Sequence, residues 1–135
     1  MPNLRSNPEG VSPPIASGYA HAVRVELGDV TMLYVSGQLP LDEDGSLVGA
    51  GDVAAQAHQV FQNLHVILAA NGASFADVVK VDTFVTDLAG LPSLREVRRG
   101  YLGDEPPAST LVEVAGLVHP EALLEVDLVA AVHRG

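Results

Sequence analysis

The sequence predicts a single α+β domain with the element order ββαβαββ. Its 135 residues suit one hydrophobic core, and 47% hydrophobic with 18% charged residues is typical of a globular chain. Strand-like alternation precedes and follows two stretches of helical character, one of which has the helical period of about 3.6 residues. We therefore expect a sheet with two helices on one of its faces.

The first two strands form a hairpin. Apolar residues alternate with others over 22–27, which is typical of a half-buried strand. The Gly-Asp pair at 28–29 predicts a turn, and 30–36 is a second strand paired with the first. A loop rich in Asp, Glu and Gly follows over 39–51.

The first helix is the clearest element. Its apolar residues recur at helical spacing and form one stripe: Val53, Ala57, Val60, Phe61, Leu64, Ile67 and Leu68. Asp52 stands where an N-cap belongs, and Asn71-Gly72 is a stop signal. A second helix is predicted over 88–102, with strands over 78–86, 110–115 and 123–132.

Two of the strands are apolar on both faces. Over 30–36, Leu33 and Val35 occupy one face while Met32 and Tyr34 occupy the other, and the strand over 78–85 repeats the pattern. A sheet face that is open to water alternates apolar with polar residues. Because two helices cover only one face, we expect the other face to be buried against further subunits.

Charge and composition exclude several partners. Seven Lys+Arg against 17 Asp+Glu give a net charge of −10, with Lys80 as the only lysine, so nucleic acid and an anionic membrane surface are poor partners. The chain has no cysteine, and its apolar runs are too interrupted to span a membrane. The polar, proline-rich residues 1–14 are expected to form a flexible N-terminal arm without signal-peptide character, before a single domain over 15–135. A cytoplasmic location is expected.

Six short motifs in order resemble the RidA family (reactive intermediate deaminase A, also YjgF or L-PSP endoribonuclease). They are 18–23 (GYAHAV), 35–40 (VSGQLP), 69–73 (AANGA), 79–88 (VKVDTFVTDL), 107–113 (PASTLVE) and 125–127 (EVD). The resemblance runs from about residue 15 to 132. It implies a chorismate-mutase-like fold, a homotrimer with a central barrel, and a ligand cleft at each subunit interface. It also implies hydrolysis of enamines or imines, such as 2-aminoacrylate, to keto acids and ammonia.

The sequence departs from the family pattern at Ser109. Family deaminases have an arginine there that holds the substrate carboxylate, whereas a hydroxyl group carries no charge. A charged hydrogen bond is worth roughly 1.5–3 kcal/mol and a neutral one about 0.5–1.5. We therefore expect an altered substrate and no ordinary 2-aminoacrylate deaminase activity.

Arg95 is one candidate for a replacement cation, because it aligns with a cleft asparagine of the family. It shares a helical face with Arg98 and Arg99, which is also typical of a solvated basic surface. Both interpretations stay open at this point.

The resemblance assigns the remaining site residues. Tyr19 matches a tyrosine that closes the cleft, and Asp127 falls at the position of the cleft glutamate, so these two are the catalytic candidates. Ser36 and Gly37 are substrate-binding candidates because a glycine there lets the backbone approach a ligand. Leu111 stands at a cleft position and predicts a less polar pocket.

Three functions fit the sequence to different degrees. The first is an imine or enamine hydrolase with a small keto or imino acid, or a related carbonyl compound, as ligand. The alternative is a non-catalytic trimer that binds a small molecule or a protein, which Ser109 favours. The third, a ribonuclease, conflicts with the net charge of −10. The histidines lack metal-ligand spacing, and no metal or organic cofactor is implied.

Overall fold

A computed structural model describes residues 3–15 and 18–134 of the chain. Within these residues it forms one six-stranded sheet and two α-helices. The strands are β1 (Leu4–Ser6), β2 (Ala22–Leu27), β3 (Val30–Gln38), β4 (Val78–Val85), β5 (Ala108–Glu113) and β6 (Leu124–His133). The helices are α1 (Val53–Ala70) and α2 (Leu91–Leu102), with short 3₁₀ turns at Phe75–Asp77 and Leu88–Gly90.

The predicted α+β fold and its order are confirmed, with one strand added. β1 pairs antiparallel with β2 through Leu4↔Arg24, within the stretch predicted to be a flexible arm. The prediction missed it because three residues with proline nearby give too short a pattern to detect. Of the predicted arm, residues 1 and 2 lie outside the described residues, as do 16, 17 and 135 of the predicted domain.

The sheet order is β1-β2-β3-β6-β4-β5. All neighbours are antiparallel except β4 and β5, which are parallel because α2 carries the chain back between them. β3 pairs with β6 from Val30↔His133 to Gln38↔Val126, and the register shifts between Val35 and Gln38. This irregularity bends the end of β3, where the candidate site lies.

Both helices cover one face of the sheet, which we call the helix face. Leu33, Val81 and Val126 point to it and are fully buried against the apolar stripe of α1. The N-cap prediction is confirmed, since the Asp52 carboxylate accepts a hydrogen bond from the backbone N–H of Ala55 at 3.1 Å. No helix among the described residues is long and apolar enough to cross a membrane.

The opposite side of the sheet, here the open face, has no covering layer within the described part of the chain. Tyr34, Val79 and Val112 lie on it and are 48%, 46% and 41% exposed. Large exposed apolar side chains on one sheet face are typical of a surface that contacts another molecule.

Candidate functional site

A pocket lies at the end of the sheet where β3 finishes and β6 begins. Its cavity volume is about 320 Å³. The lining residues are Ile15, Tyr19, Ser36, Gly37, Leu39, Val118 and Glu125. The structure therefore brings three of the predicted site residues together, and we call this cavity the Gly37 pocket.

Gly37 and Glu125 are the closest pair in this pocket. A Cβ atom on residue 37 would lie 2.8 Å from the Cδ atom of Glu125, so any side chain there would displace the carboxyl end of Glu125 from its present place. Glu125 is half-buried, and burial raises the pKa of its carboxyl group above the ordinary value. The pocket thus holds a carboxyl group that keeps its proton more readily than a glutamate in water.

Hydrogen bonds hold the walls of the Gly37 pocket. The Ser36 hydroxyl donates to the carbonyl oxygen of Ala20 at 2.6 Å, which ties the end of β3 to the segment before β2. The Tyr19 hydroxyl accepts from the backbone N–H of Ile15 at 3.0 Å, and its side chain is 41% exposed. Ser36 is therefore a wall residue with its hydroxyl engaged, while Tyr19 stands at the mouth.

The His21 side chain links the segment before β2 to residue 12 and to the end of β3 by hydrogen bonds. It is buried, its Nε2 donates to the carbonyl oxygen of Ser12 at 2.6 Å, and Gln38 donates to its Nδ1 at 3.1 Å. With both ring nitrogens engaged, His21 positions the backbone around the pocket.

Asp127 is not among the residues that line the Gly37 pocket, and the carboxyl group found there is that of Glu125. Asp127 lies two residues further along β6, directly opposite Asp82 of β4. Its predicted catalytic role stays a prediction, and within one chain Asp127 lies outside this pocket. The physical reason is that β3 and β6 run antiparallel, so the end of β3 meets the beginning of β6.

Asp127 and Asp82 form a pair of facing carboxyl groups on the open face. Lys80 donates to Asp82 at 2.5 Å and lowers the pKa of Asp82. Burial first, and then the hydrogen bond and charge of Asp82, raise the pKa of Asp127 to about 6. The pair therefore holds one proton in mildly acidic solution, because two adjacent carboxylates repel each other.

The other predicted residues form a second group near β5 and α2. A groove with a cavity volume of about 520 Å³ is lined by Arg95, Arg98 and Arg99 together with Glu96, Leu102, Gly103, Asp104 and Pro106. The Nη1 atom of Arg98 lies 3.4 Å from the Ser109 hydroxyl oxygen, at the long limit of a hydrogen bond. Arg95 is exposed and forms no hydrogen bond with Ser109, so Arg98 is the arginine of this helix that contacts Ser109.

Leu111 lies on the helix face of β5. It is partly buried and packs against the main hydrophobic core. Within one chain it thus contributes to the core, and its predicted place in a cleft stays a prediction.

The Gly37 pocket and the residues around Ser109 are far apart within one chain. From Ser109 the sheet pairings run through Val81 and Leu128 to Val35, next to Ser36. Three steps of about 4.8 Å between strands make a separation of roughly 14 Å. Ser109 also points to the helix face, whereas Glu125 points to the open face, so one chain cannot bring both groups to one small ligand.

Glu125 is the site residue that the sequence pattern did not place in the pocket. The alternation along β6 puts Glu125 and Asp127 on the same face, so the pattern alone cannot choose between them. The pairing of β3 with β6 determines which of the two side chains lies beside Gly37. Among the described residues, no group of three or more His, Asp or Glu side chains is arranged to hold a metal ion.

The fold, the glycine-floored pocket and the motif order define a class of small α+β proteins. The sequence model of the family described as Endoribonuclease L-PSP matches residues 10–132. The chain therefore belongs to this family, which includes the RidA, YjgF and RutC proteins.

Named relatives agree with this membership. The 3-aminoacrylate deaminase RutC of Acinetobacter baylyi is 40% identical over 132 residues, which are 98% of this chain and all of that protein. The solved structure of RidA from a Psychrobacter species has 31% identity and a TM-score of 0.81, covering 93% of this chain and 97% of that one. TdcF of E. coli, solved with bound serine, has 27% identity and a TM-score of 0.81, covering 94% and 97%.

Proposed function

We propose that this chain is a homotrimeric hydrolase that deaminates a small enamine or imine carboxylate of the 3-aminoacrylate type. The observation that carries the proposal is the half-buried Glu125 carboxyl group held over Gly37 beside Tyr19. The 40% identity to a protein named 3-aminoacrylate deaminase supports the substrate class.

The reaction needs one water molecule and the movement of protons. An enamine such as 3-aminoacrylate takes a proton on carbon and becomes an iminium ion, to which water adds at the carbon that bears nitrogen. The carbinolamine then loses ammonia and leaves 3-oxopropanoate, so that enamine and water balance against oxo acid and ammonia. General acid and base groups near neutral pH accelerate these steps.

Glu125 is the group we assign to the proton transfers. Its raised pKa keeps a proton available for the enamine carbon, and the resulting carboxylate then accepts a proton from the attacking water. Tyr19 limits access of solvent at the mouth, and the open backbone at Ser36 and Gly37 lets a flat ligand lie close. The catalytic role expected for Asp127 passes to Glu125 in this proposal.

A trimer would complete the site. The open face carries exposed apolar side chains on three strands, and burying them against neighbouring copies removes this surface from water. Since Ser109 and Glu125 point to opposite faces of the sheet and lie on strands that are not neighbours, one ligand would contact Glu125 of one subunit and Ser109 of the next. This arrangement is the inter-subunit cleft around a central barrel that the resemblance implies.

The test is a turnover assay with unstable substrates generated in the cuvette. Imino acids come from an amino-acid oxidase, 3-aminoacrylate is released in situ, and ammonia formation is followed with and without protein. We expect an acceleration of about tenfold or more with 3-aminoacrylate, lost in Glu125→Gln and in Gly37→Ala. Gly100→Ala is the matched control, because nothing lies within 4 Å of a Cβ atom there.

Ser109 supports one alternative, a trimer that binds a small carboxylate without turning it over. If ammonia forms no faster with protein than without it, while a keto acid still binds at the Gly37 pocket, the binding function replaces the hydrolase. Equal rates in wild type and Glu125→Gln would likewise remove Glu125 from the chemistry.

A further inference from the structure

The groove along α2 concentrates positive charge in an acidic protein. Three of the seven Lys and Arg residues line it, in a chain with a net charge of −10. We call it the arginine groove. Its three arginines, Arg95, Arg98 and Arg99, outnumber its two acidic residues, Glu96 and Asp104, and Leu102, Gly103 and Pro106 complete its lining. It runs along the side of α2 that faces the beginning of β5.

Arg98 is the half-buried arginine among those that form no ion pair within the described residues, since Arg5 and Arg95 are exposed. Arg24 and Arg134 pair with Glu26, and Lys80 pairs with Asp82. Arg98 is half-buried and, among the described residues, forms no ion pair. Burial and the nearby charge of Arg95 both lower its pKa, which means that the guanidinium is partly removed from water without a counter-ion.

Arg99 provides the comparison within the same helix. Its side chain is 79% exposed and lies 3.9 Å from the Asp104 carboxylate. A solvated and paired arginine has little to gain from a further anion. The unpaired Arg98, held against the Ser109 hydroxyl, has more to gain.

We propose that Arg98 and the Ser109 hydroxyl together bind the carboxylate group of the ligand, so that α2 supplies the cation of this site. The inference rests on the proposed function and names the part of the site that recognises the acid. A guanidinium offers two parallel N–H donors to a carboxylate, and the adjacent hydroxyl offers a third donor. Arg95, exposed in the same groove, adds positive potential without meeting Ser109.

The test compares an acid with its neutral ester on the full chain. Pyruvate and methyl pyruvate are titrated by calorimetry into wild type, Arg98→Ala, Arg98→Lys and the charge-matched control Arg5→Ala. We expect wild type to bind pyruvate about tenfold or more tightly than the ester. Arg98→Ala should lose about 10- to 100-fold in pyruvate affinity with no change for the ester, and Arg98→Lys should lose less, because it keeps the charge without the fork.

The outcomes separate the two proposals. If Arg98→Ala binds pyruvate as tightly as wild type, while Gly37→Ala does not bind it, the role of Arg98 is overturned and the Gly37 pocket stands. Equal binding of pyruvate and the ester by wild type also overturns the role of Arg98. If wild type binds neither probe, both proposals fall. Thermal melting of each variant confirms that it is folded.

Discussion

Among single residues, Gly37 matters because its lack of a side chain leaves space in the pocket for the Glu125 carboxyl group. Gly37 leaves the volume that Glu125 fills, and the irregular end of β3 turns this stretch of backbone toward the beginning of β6. The carboxyl group is thereby held in a half-buried place that raises its pKa. The position of the Glu125 carboxyl group thus depends on Gly37, which has no side chain.

The facing pair of Asp82 and Asp127 makes the stability of the protein depend on pH. The pKa of Asp127 rises from 3.8 to about 6 on folding, so the folded chain binds this proton more tightly than the unfolded chain. The protonated Asp127 stabilises the folded chain fully at a pH below 3.8, its pKa in the unfolded chain. This stabilisation is lost as the pH rises through about 6, its pKa in the folded chain.

Asp127→Asn should remove this dependence. An amide has the shape of the protonated carboxyl group but never gains a charge beside Asp82. We expect the variant to match wild type near about pH 4 and to melt a few degrees higher near about pH 7. Asp44→Asn, in an exposed turn, is the control and should show no such difference. A melting-temperature difference that is independent of pH would contradict the prediction.

Among the secondary-structure elements, α1 holds the loops that surround the site through its buried polar side chains. The Gln56 amide is fully buried and donates to the carbonyl oxygens of Gly49 and Glu121. Its oxygen accepts from the backbone N–H of Leu123 at 2.7 Å, just before β6. This one side chain therefore fixes the start of the strand that carries Glu125.

Gln56→Leu should destabilise the protein strongly. It keeps the volume but leaves the three backbone groups that face the buried Gln56 amide without this partner, each costing up to about 1–3 kcal/mol. We expect a loss of about 3 kcal/mol or more in the free energy of unfolding, measured by urea denaturation. Gln62→Leu, on the exposed side of α1, is the matched control and should change it by no more than about 0.5 kcal/mol. Equal losses in both variants would contradict this role of Gln56.

At the scale of the whole molecule, the hydrophobic core is enclosed, whereas one face of the sheet carries exposed apolar side chains. The helix face is covered by α1 and α2, while the open face presents Tyr34, Val79 and Val112 to water. β5 also leaves one strand edge unpaired within the described part of the chain. Exposed apolar faces and unpaired edges are the features that association with further copies covers.

Tyr34→Glu should break the proposed trimer. Tyr34 lies in the middle of β3 on the open face, and a carboxylate buried between subunits without a partner is unfavourable. We expect wild type to sediment as a trimer and the variant as a monomer at micromolar concentration. Leu4→Glu, on the edge strand β1 and 52% exposed, is the control and should stay trimeric. A monomeric wild type would end the proposal of an inter-subunit site.

Features that depend on residues close together in the sequence were predicted, whereas features that depend on the pairing of distant segments were not. The apolar stripe of α1, its Asp52 cap and the strands of the hairpin were predictable because neighbours in sequence produce them. The short β1 was not, since it forms only by pairing with β2. That Glu125 lines the Gly37 pocket was out of reach for a similar reason, because Glu125 and Asp127 point to the same face and only the pairing of β3 with β6 separates them.

The fold class, the order of the main elements and the two-sided apolar strands could all be predicted from the amino-acid sequence. Local periodicity and composition suffice for these features, because each depends on residues close together in the chain. That Glu125 meets Gly37, that Asp127 faces Asp82 and that Arg98 reaches Ser109 emerged only from the folded arrangement. Each of these contacts joins two different elements, and their register and crossing are set only when the whole core packs.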